Sequence, residues 1–169
     1  MVKISHGIDE NDSQSSVSFS SDEMAFWQRV VAVYMGVLPD LERALQDAGK
    51  VSFFEFQVLD HLAKEDAAVG MSHLAARCDA SLSRLSHVAR KLDQRGLMVR
   101  RLSDTDKRVT VAEITDEGSA LLEDLRGVYH GAVETRVLQS LTPEELRHAT
   151  SIFDNVLRRN QPDHWLLTG

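Results

Sequence analysis

Apolar positions along most of the chain recur at the three- and four-residue spacing that is typical of helices. Ser20-x-x-Glu23 has the spacing of a capping box and predicts the start of a first helix that continues to Gly49. Pro39 is expected to kink this helix or to restart it. The helix is apolar on nearly every side, so we expect it to be covered all round.

Three shorter helices are predicted next. Ser52-x-x-Glu55 is a second capping box and opens the second helix, and the following "KEDAAVGM" predicts a turn. A third helix is expected over about residues 71–78. Ser81 is well placed as the N-cap of a fourth helix that extends to about Arg95.

The pattern then changes to two short β-rich runs, "LMVRRLS" and "KRVTVAEIT", which "SDTD" joins as a hairpin. Thr115 caps a long helix that is expected to run through Leu138, and Thr142 with Pro143 marks the start of a last helix. This order predicts a mainly α protein with a small β-hairpin wing, that is, a winged helix-turn-helix.

Charge is distributed unevenly along the 169 residues, whose formal net charge is -7. Residues 81–110 hold eight basic and three acidic side chains, whereas residues 1–80 hold six and 13 and residues 111–169 hold five and ten. A cationic segment on an acidic body is typical of a polyanion-binding face, although a solvated, salt-bridged surface would carry the same charges.

Composition limits the remaining classes. One cysteine, Cys78, cannot form an internal disulfide, and there is no apolar stretch long enough for a membrane span and no secretory leader pattern. We therefore expect a cytoplasmic protein without a membrane partner. Residues 1–20 are rich in Ser, Asp and Asn and predict a disordered N-terminal tail.

The fourth helix is the first candidate DNA-binding element, as the recognition helix. Its apolar positions fall on one side, and its opposite face is small and polar near the start and cationic further on, which suits close approach to base edges followed by phosphate contacts. The candidate residues are Ser81, Ser83, Arg84, Ser86, His87, Arg90 and Lys91. An ordinary solvent-facing helix surface is the alternative.

The hairpin is the second candidate element. Asp106, two residues before Arg108, is expected to orient its guanidinium towards the narrow, electronegative minor groove. Arg101 and Lys107 are expected to add phosphate contacts. The alternative is a surface ion pair of little consequence.

Taken together, "FFEFQVLDHL", "MSHLAARCDASLSRLSHVARKLDQRGLMVRR" and "SDTDKRVTVAEITDEGSALL" resemble the MarR-type winged-helix transcriptional regulators, from about Ser52 to Leu125. The family usually shows an Asp-x-Arg wing followed by Leu-Thr-x-x-Gly, where this chain has Ile114 in place of the Leu. Ser103 and Asp104 replace the usual Asp-Pro at the wing tip.

The resemblance implies a homodimer that binds double-stranded DNA at an inverted-repeat operator. Residues 21–49 would form an N-terminal dimerisation helix, residues 50–115 the DNA-binding winged helix-turn-helix and residues 116–169 the C-terminal dimerisation helices. The apolar first and last helices independently favour dimerisation, since one copy of the chain has too little protein to cover them. Two-fold symmetry would place the recognition helices about 34 Å apart.

Members of this family often respond to small aromatic acids or other anions, so a repressor released by a small-molecule effector is expected. Trp27, Tyr34, Phe53 and Phe54 could line the ligand crevice, although aromatic residues on buried helices are more often packing residues.

Other functions remain open. The winged helix could serve protein contacts or ligand binding without DNA, and Cys78 could sense oxidants, although it is interpreted as a small buried hydrophobe. His61 and Glu65 lie four residues apart without a further ligand at zinc spacing, so no metal is expected. No nucleophile constellation or phosphate loop stands out, so we expect neither an enzyme nor a cofactor.

Overall fold

A computed structural model describes residues 18–167. Contacts divide the chain into two units, residues 1–35 and residues 36–169. In its described part, the first unit holds the beginning of one long helix. The second unit holds the end of that helix and all the remaining elements.

Helix α1 spans Ser21–Gly49. The Ser20 amide donates to the Glu23 carboxylate at 2.8 Å and the Glu23 amide donates to the Ser20 hydroxyl at 3.3 Å, so the predicted capping box is formed. Of the two alternatives predicted at Pro39, a kink or a restart, the restart is wrong, because the helix continues through this residue. Leu41 and Leu45, both buried, keep the segment beyond it packed.

Five further helices and three strands make up the second unit beyond α1. They are α2 (Phe53–Leu62), β1 (Val69–Gly70), α3 (Met71–Arg77), α4 (Leu82–Gln94), β2 (Met98–Leu102), β3 (Thr110–Ile114), α5 (Asp116–Arg136) and α6 (Pro143–Asn160). Short 3-10 turns lie at Leu138–Ser140 and Trp165–Leu167. The strands form an antiparallel sheet in the order β1-β3-β2.

Three local predictions need correction. Strand β1 lies at the end of a segment predicted as a turn, because Val69 and Gly70 pair with β3. Strand β3 begins only at Thr110, so residues 103–109 form a longer loop than "SDTD". Helix α5 ends at Arg136, before the predicted Leu138, and a 3-10 turn follows it.

The core lies where α2, α3, α4, α5 and the sheet meet. Its fully buried side chains include Leu59, Leu74, Leu85, Leu92 and Leu122. This packing explains why one face of α4 is apolar and leaves the opposite face available for other contacts.

A close approach fixes the hairpin against α5. The Thr115 hydroxyl accepts from the Gly118 amide at 3.0 Å and donates to the Gly96 carbonyl at 2.6 Å. A Cβ atom at Gly118 would clash with the Leu97 carbonyl oxygen, so only glycine fits there. The position of the wing therefore depends on the start of α5.

Within residues 18–167, no helix combines the length and the apolarity that a membrane crossing requires.

Candidate nucleic-acid interface

Helix α4 begins as the sequence predicts. The Ser81 hydroxyl accepts from the Arg84 amide at 3.2 Å, which makes Ser81 the N-cap. Leu85, Ala89 and Leu92 are fully buried. The candidate DNA-binding side chains that are exposed on this helix and its cap are Ser81, Ser83, Arg84, His87, Arg90 and Lys91, while Ser86 is half-buried.

Arg84 has a partner that periodicity did not indicate. Its guanidinium carbon lies 4.1 Å from the centroid of the Phe54 ring. A cation over an aromatic face is attracted by the ring quadrupole, and the flat ring limits where the guanidinium can go. Phe54, which was predicted as a crevice residue, therefore packs against the guanidinium of Arg84, an exposed candidate DNA-binding residue.

Lys91 is tied to a different helix. Its ammonium lies 2.8 Å from Oε1 of Glu55, a carboxylate that is only 1% exposed. The other carboxylate oxygen of Glu55 accepts from the Ser52 amide at 2.7 Å. Burial alone would raise the pKa of Glu55, but the hydrogen bonds from Lys91 and Ser52 outweigh it and hold the pKa below its usual value.

This contact changes the expectation for Lys91. A phosphate contact would compete with a buried carboxylate that already neutralises the ammonium. The structure therefore places Lys91 where it joins α4 to the start of α2, whereas Arg90 beside it is exposed.

Two more members of the cationic segment hold elements together. Arg95 donates to the carbonyl oxygens of Gly49 and Lys50 at 3.0 and 2.9 Å, so it caps the end of α1. Arg100 pairs with Asp93 at 3.2 Å. Both side chains contribute to the local positive charge, but each is already paired within the protein, Arg95 through Nη1 and Nη2 and Arg100 through Nε.

The wing presents a different arrangement. Nε and Nη2 of Arg108 each lie 3.0 Å from one carboxylate oxygen of Asp106, and the Arg108 amide donates to the same carboxylate. The Arg108 side chain is 90% exposed. The hydrogen bonds from Arg108 hold the pKa of Asp106 below its usual value. An arginine that is oriented and still exposed suits insertion into a groove.

The wing tip is organised by Ser103 and Asp104, the residues that depart from the usual Asp-Pro. The Ser103 hydroxyl accepts from the amides of Thr105 and Asp106, both at 3.3 Å. Asp104 pairs with Arg101 at 2.8 Å and with Lys107 at 3.4 Å. These contacts restrict the conformation of the turn at the wing tip, as a proline would by fixing its own φ angle.

A groove of about 460 Å³ separates the start of α4 from the wing. Its lining includes Leu82, Ser86, Arg100, Arg108 and Val109. Ser86 and Arg108, predicted for separate elements, thus border the same space.

A larger cavity of about 780 Å³ lies between α2 and α5. Phe53 lines it together with Phe56 and Tyr129. The ring centroid of Tyr129 lies 6.1 Å from that of Phe53 and 4.8 Å from that of Phe56. Of the two predicted crevice residues in the second unit, only Phe53 lines this cavity, because Phe54 packs beneath Arg84.

The other two predicted crevice residues lie in the first unit. Trp27 is 56% exposed and Tyr34 is 61% exposed on the first part of α1. Neither side chain is a core residue of that unit.

Charged groups border the same cavity. Asp60 accepts from Arg126 at 3.0 Å and lies 2.7 Å from the Lys64 ammonium. Burial opposes ionisation of Asp60, but the hydrogen bonds from Lys64 and Arg126 outweigh it and lower its pKa. The cavity therefore combines aromatic walls with an ordered group of charges.

A C-terminal strap, residues 161–167, was not predicted at all. Nε2 of His164 lies 3.0 and 3.1 Å from the two carboxylate oxygens of Asp79, and Nδ1 accepts from the Leu166 amide. The ring of Trp165 lies 5.0 Å from the Arg77 guanidinium carbon and 5.0 Å from the His61 ring. The strap thus joins the end of the chain to the turn between α3 and α4.

Cys78 lies in the core, 6% exposed. Burial, with a smaller contribution from Asp79, raises its pKa to about 11. The thiol is therefore protonated at neutral pH and unreactive, which argues against an oxidant sensor.

His61 and Glu65 were the residues considered for a zinc site. Within residues 18–167, no group of three or more His, Cys, Asp or Glu side chains is arranged to hold a metal ion.

Comparisons with known proteins agree with this geometry. No family model matches the chain. The HTH-type transcriptional regulator MhqR of Bacillus subtilis is 36% identical over 72 residues, which cover 43% of this chain and about half (49%) of that protein. The HTH-type transcriptional repressor MdtR of the same organism is 26% identical over 132 residues, which cover 78% of this chain and 83% of the relative.

A solved structure matches over a greater length. The crystal structure of Sco3205, a MarR family transcriptional regulator from Streptomyces coelicolor in complex with DNA, is 26% identical and has a TM-score of 0.84. The match covers 90% of this chain and 99% of that one. In its fold and in these likenesses, the chain is similar to the MarR-type winged helix-turn-helix regulators.

Proposed function

We propose that the chain is a homodimeric, sequence-specific double-stranded DNA-binding regulator, and that it is a repressor whose operator binding is relieved by a small-molecule ligand. The observation that carries this proposal is the wing arginine. Arg108 is 90% exposed and is oriented by both carboxylate oxygens of Asp106, an arrangement that stabilises the fold little but prepares a cation for a groove.

Helix α4 supplies the second part of the interface. Short hydroxyls at Ser81 and Ser83 let its backbone approach base edges, and Arg84 can reach a guanine O6 and N7. Arg90 and Lys107 are available for phosphates. MdtR is called a repressor and Sco3205 is in complex with DNA, which supports the same role for this chain.

Uncovered apolar side chains support the homodimer. In the second unit, α6 has no buried residue, and Ile152, Phe153 and Val156 are each 48% exposed. In the first unit, Phe26 and Tyr34 of α1 are 50% and 61% exposed. Apolar faces of this kind favour association, and a second copy offers the same residues under two-fold symmetry. An inverted-repeat operator follows from that symmetry.

The cavity between α2 and α5 is the site that we propose for the effector. Its aromatic walls suit a ring, and Lys64 and Arg126 suit an acidic substituent that competes with Asp60 for them. A ligand that prefers a spacing of the two recognition helices unlike the DNA-bound spacing lowers DNA affinity by its differential binding energy, typically about 1–3 kcal/mol.

DNA binding is tested by selecting duplexes from a random-sequence pool with the purified protein and measuring their affinity by fluorescence anisotropy at several salt concentrations. We expect a palindromic sequence to be enriched and the affinity to fall by orders of magnitude from about 50 to 200 mM salt. A flat salt response with no enrichment would contradict the proposal and favour an interaction module that does not bind DNA.

Variants connect that binding to the named residues. Arg84→Ala should cost about 1–3 kcal/mol and relax the preference at one base step, whereas Arg108→Ala should weaken binding to all sequences more evenly. Arg43→Ala is a matched control, because Arg43 forms an exposed pair with Asp40 on α1 at 2.9 Å. Equal effects of Arg43→Ala and Arg108→Ala would contradict the assigned surface.

A further inference from the structure

One large apolar side chain on α4 does not join the core. Leu85 and Leu92 are 0% exposed, whereas Leu82 is 48% exposed. It is the first residue of the helix, directly after the Ser81 cap, and it was not among the predicted DNA-binding residues. Helix formation does not require a leucine there, since small polar residues would serve at an exposed first turn.

The surroundings of Leu82 are cationic and open. It lines the groove of about 460 Å³ whose other walls include Arg100 and Arg108. Val109, 41% exposed, lines the same groove from the wing. The groove thus combines guanidinium groups with a small apolar surface.

A ligand that fits this combination must be an anion that also presents an isolated apolar group. Duplex DNA does so in one way, since the thymine C5-methyl is the apolar group that the major groove displays among hydrogen-bonding base edges. A protein partner would more often bring a continuous apolar face, which two separated side chains do not match.

We propose that Leu82 determines specificity by packing against a thymine methyl in the major groove. The contact rests on the proposed DNA-binding function and adds a base preference that hydrogen bonding from Arg84 does not supply. Cytosine lacks the methyl group at the equivalent position and would leave the leucine in water.

Replacing thymine by deoxyuridine tests this contact, because the exchange removes only the methyl group. The probe is the duplex that the wild-type protein enriches from a random-sequence pool, with each thymine of one half-site replaced in turn. We expect one replacement to lower wild-type affinity about fourfold, as the burial of one methyl-sized group predicts.

The variants then assign that effect to a residue. Leu82→Ala should bind thymine and deoxyuridine probes equally at that position, and Leu82→Met should retain the difference because its side chain remains long and apolar. Arg108→Ala is the matched control: it should lower affinity for both probes and leave their ratio at about four. Because Leu82 and Arg108 are both exposed, the wild-type protein and the three variants should show the same thermal unfolding midpoint.

The outcomes separate the contact from DNA binding itself. If the wild-type protein binds its selected duplex but no deoxyuridine replacement lowers affinity, or if Leu82→Ala keeps the fourfold ratio, the leucine contact is wrong and DNA binding stands. If the wild-type protein enriches no duplex and shows no salt-dependent binding, the proposed function itself fails.

Discussion

The cations of α4 and those of the wing come from one continuous basic segment, yet they make contacts of different range. On α4 and its C-cap, Lys91 and Arg95 contact Glu55 and the end of α1, which lie about 36 and 45 residues earlier in the sequence. In the wing, the partner of Arg108 is two residues away.

The difference separates two uses of positive charge. The contacts of Lys91 and Arg95 join helices that are distant in sequence, so their removal should be measured as lost stability. The contacts of Lys107 and Arg108 remain inside the loop of residues 103–109, and Arg101 of β2 pairs with Asp104 of that loop and lies 4.0 Å from Glu113 of β3. All three cations are exposed, so their removal should be measured as lost DNA affinity.

The largest expected effect is on stability, at Lys91. Lys91→Ala leaves the buried Glu55 carboxylate without its cation and should lower the free energy of unfolding by about 2 kcal/mol. Chemical denaturation measures the loss, and Arg90→Ala, at the exposed neighbouring position, should change it by less than about 0.5 kcal/mol.

A second substitution checks the cause of that loss. Adding Glu55→Gln to Lys91→Ala removes the unpaired charge and should recover part of the stability. If Lys91→Ala changes the salt dependence of DNA binding instead, while stability stays constant, the lysine is a phosphate contact and the comparison fails.

The next effect is on DNA affinity, at Asp106. Asp106→Ala removes a negative charge from the proposed DNA-binding surface, which by simple charge counting should strengthen binding. We expect it to weaken binding by about fivefold, because Arg108 loses its orientation and an ordered side chain binds at lower entropic cost. Anisotropy with the selected duplex measures the change, and a rise in affinity would show that orientation does not matter.

A smaller loss of stability is expected at Arg95. Arg95→Ala removes two donors from carbonyl groups at the end of α1 and should lower the free energy of unfolding by about 1 kcal/mol. Thermal or denaturant unfolding measures it, with Arg108→Ala as the wing control that should leave stability nearly constant. Equal losses in both variants would erase the distinction between the two regions.

The smallest effect is the pH dependence that Glu55 contributes. Its folded-state pKa lies below the usual value, so its stabilisation is present above about pH 5 and is lost as the pH falls through the folded-state pKa. The stability difference between the wild-type protein and Glu55→Gln should therefore be greatest near neutral pH and narrow towards pH 3. Denaturant unfolding at several pH values measures it, and a constant difference would mean that ionised Glu55 gains nothing on folding.

Sequence patterns predicted the local structure well because caps and periodicity depend on neighbouring residues. Ser52, Ser81 and Thr142 cap the helices that they were expected to cap. The Asp106–Arg108 contact was also predictable, since two residues separate its members. Strand β1 was missed because two residues carry no alternation, and only pairing with β3 defines it.

Contacts between distant residues explain the rest. Helical spacing correctly placed Lys91 on the outward face of α4. It does not show, however, that this long side chain bends back to contact Glu55. Phe54 was placed in a crevice because aromatic character does not tell a cavity wall from the support of Arg84. Leu82 was overlooked because periodicity assigns apolar residues to the core before exposure is known.

The His164 contact with Asp79 also bears on the time at which the protein matures during its synthesis. The two residues are 85 positions apart. At about 5–20 residues per second, the ribosome adds His164 roughly 4 to 17 s after Asp79. The turn between α3 and α4 therefore exists for several seconds before its contact with His164 can form. In a newly made copy, the C-terminal strap can bind this turn only after translation has reached residue 164.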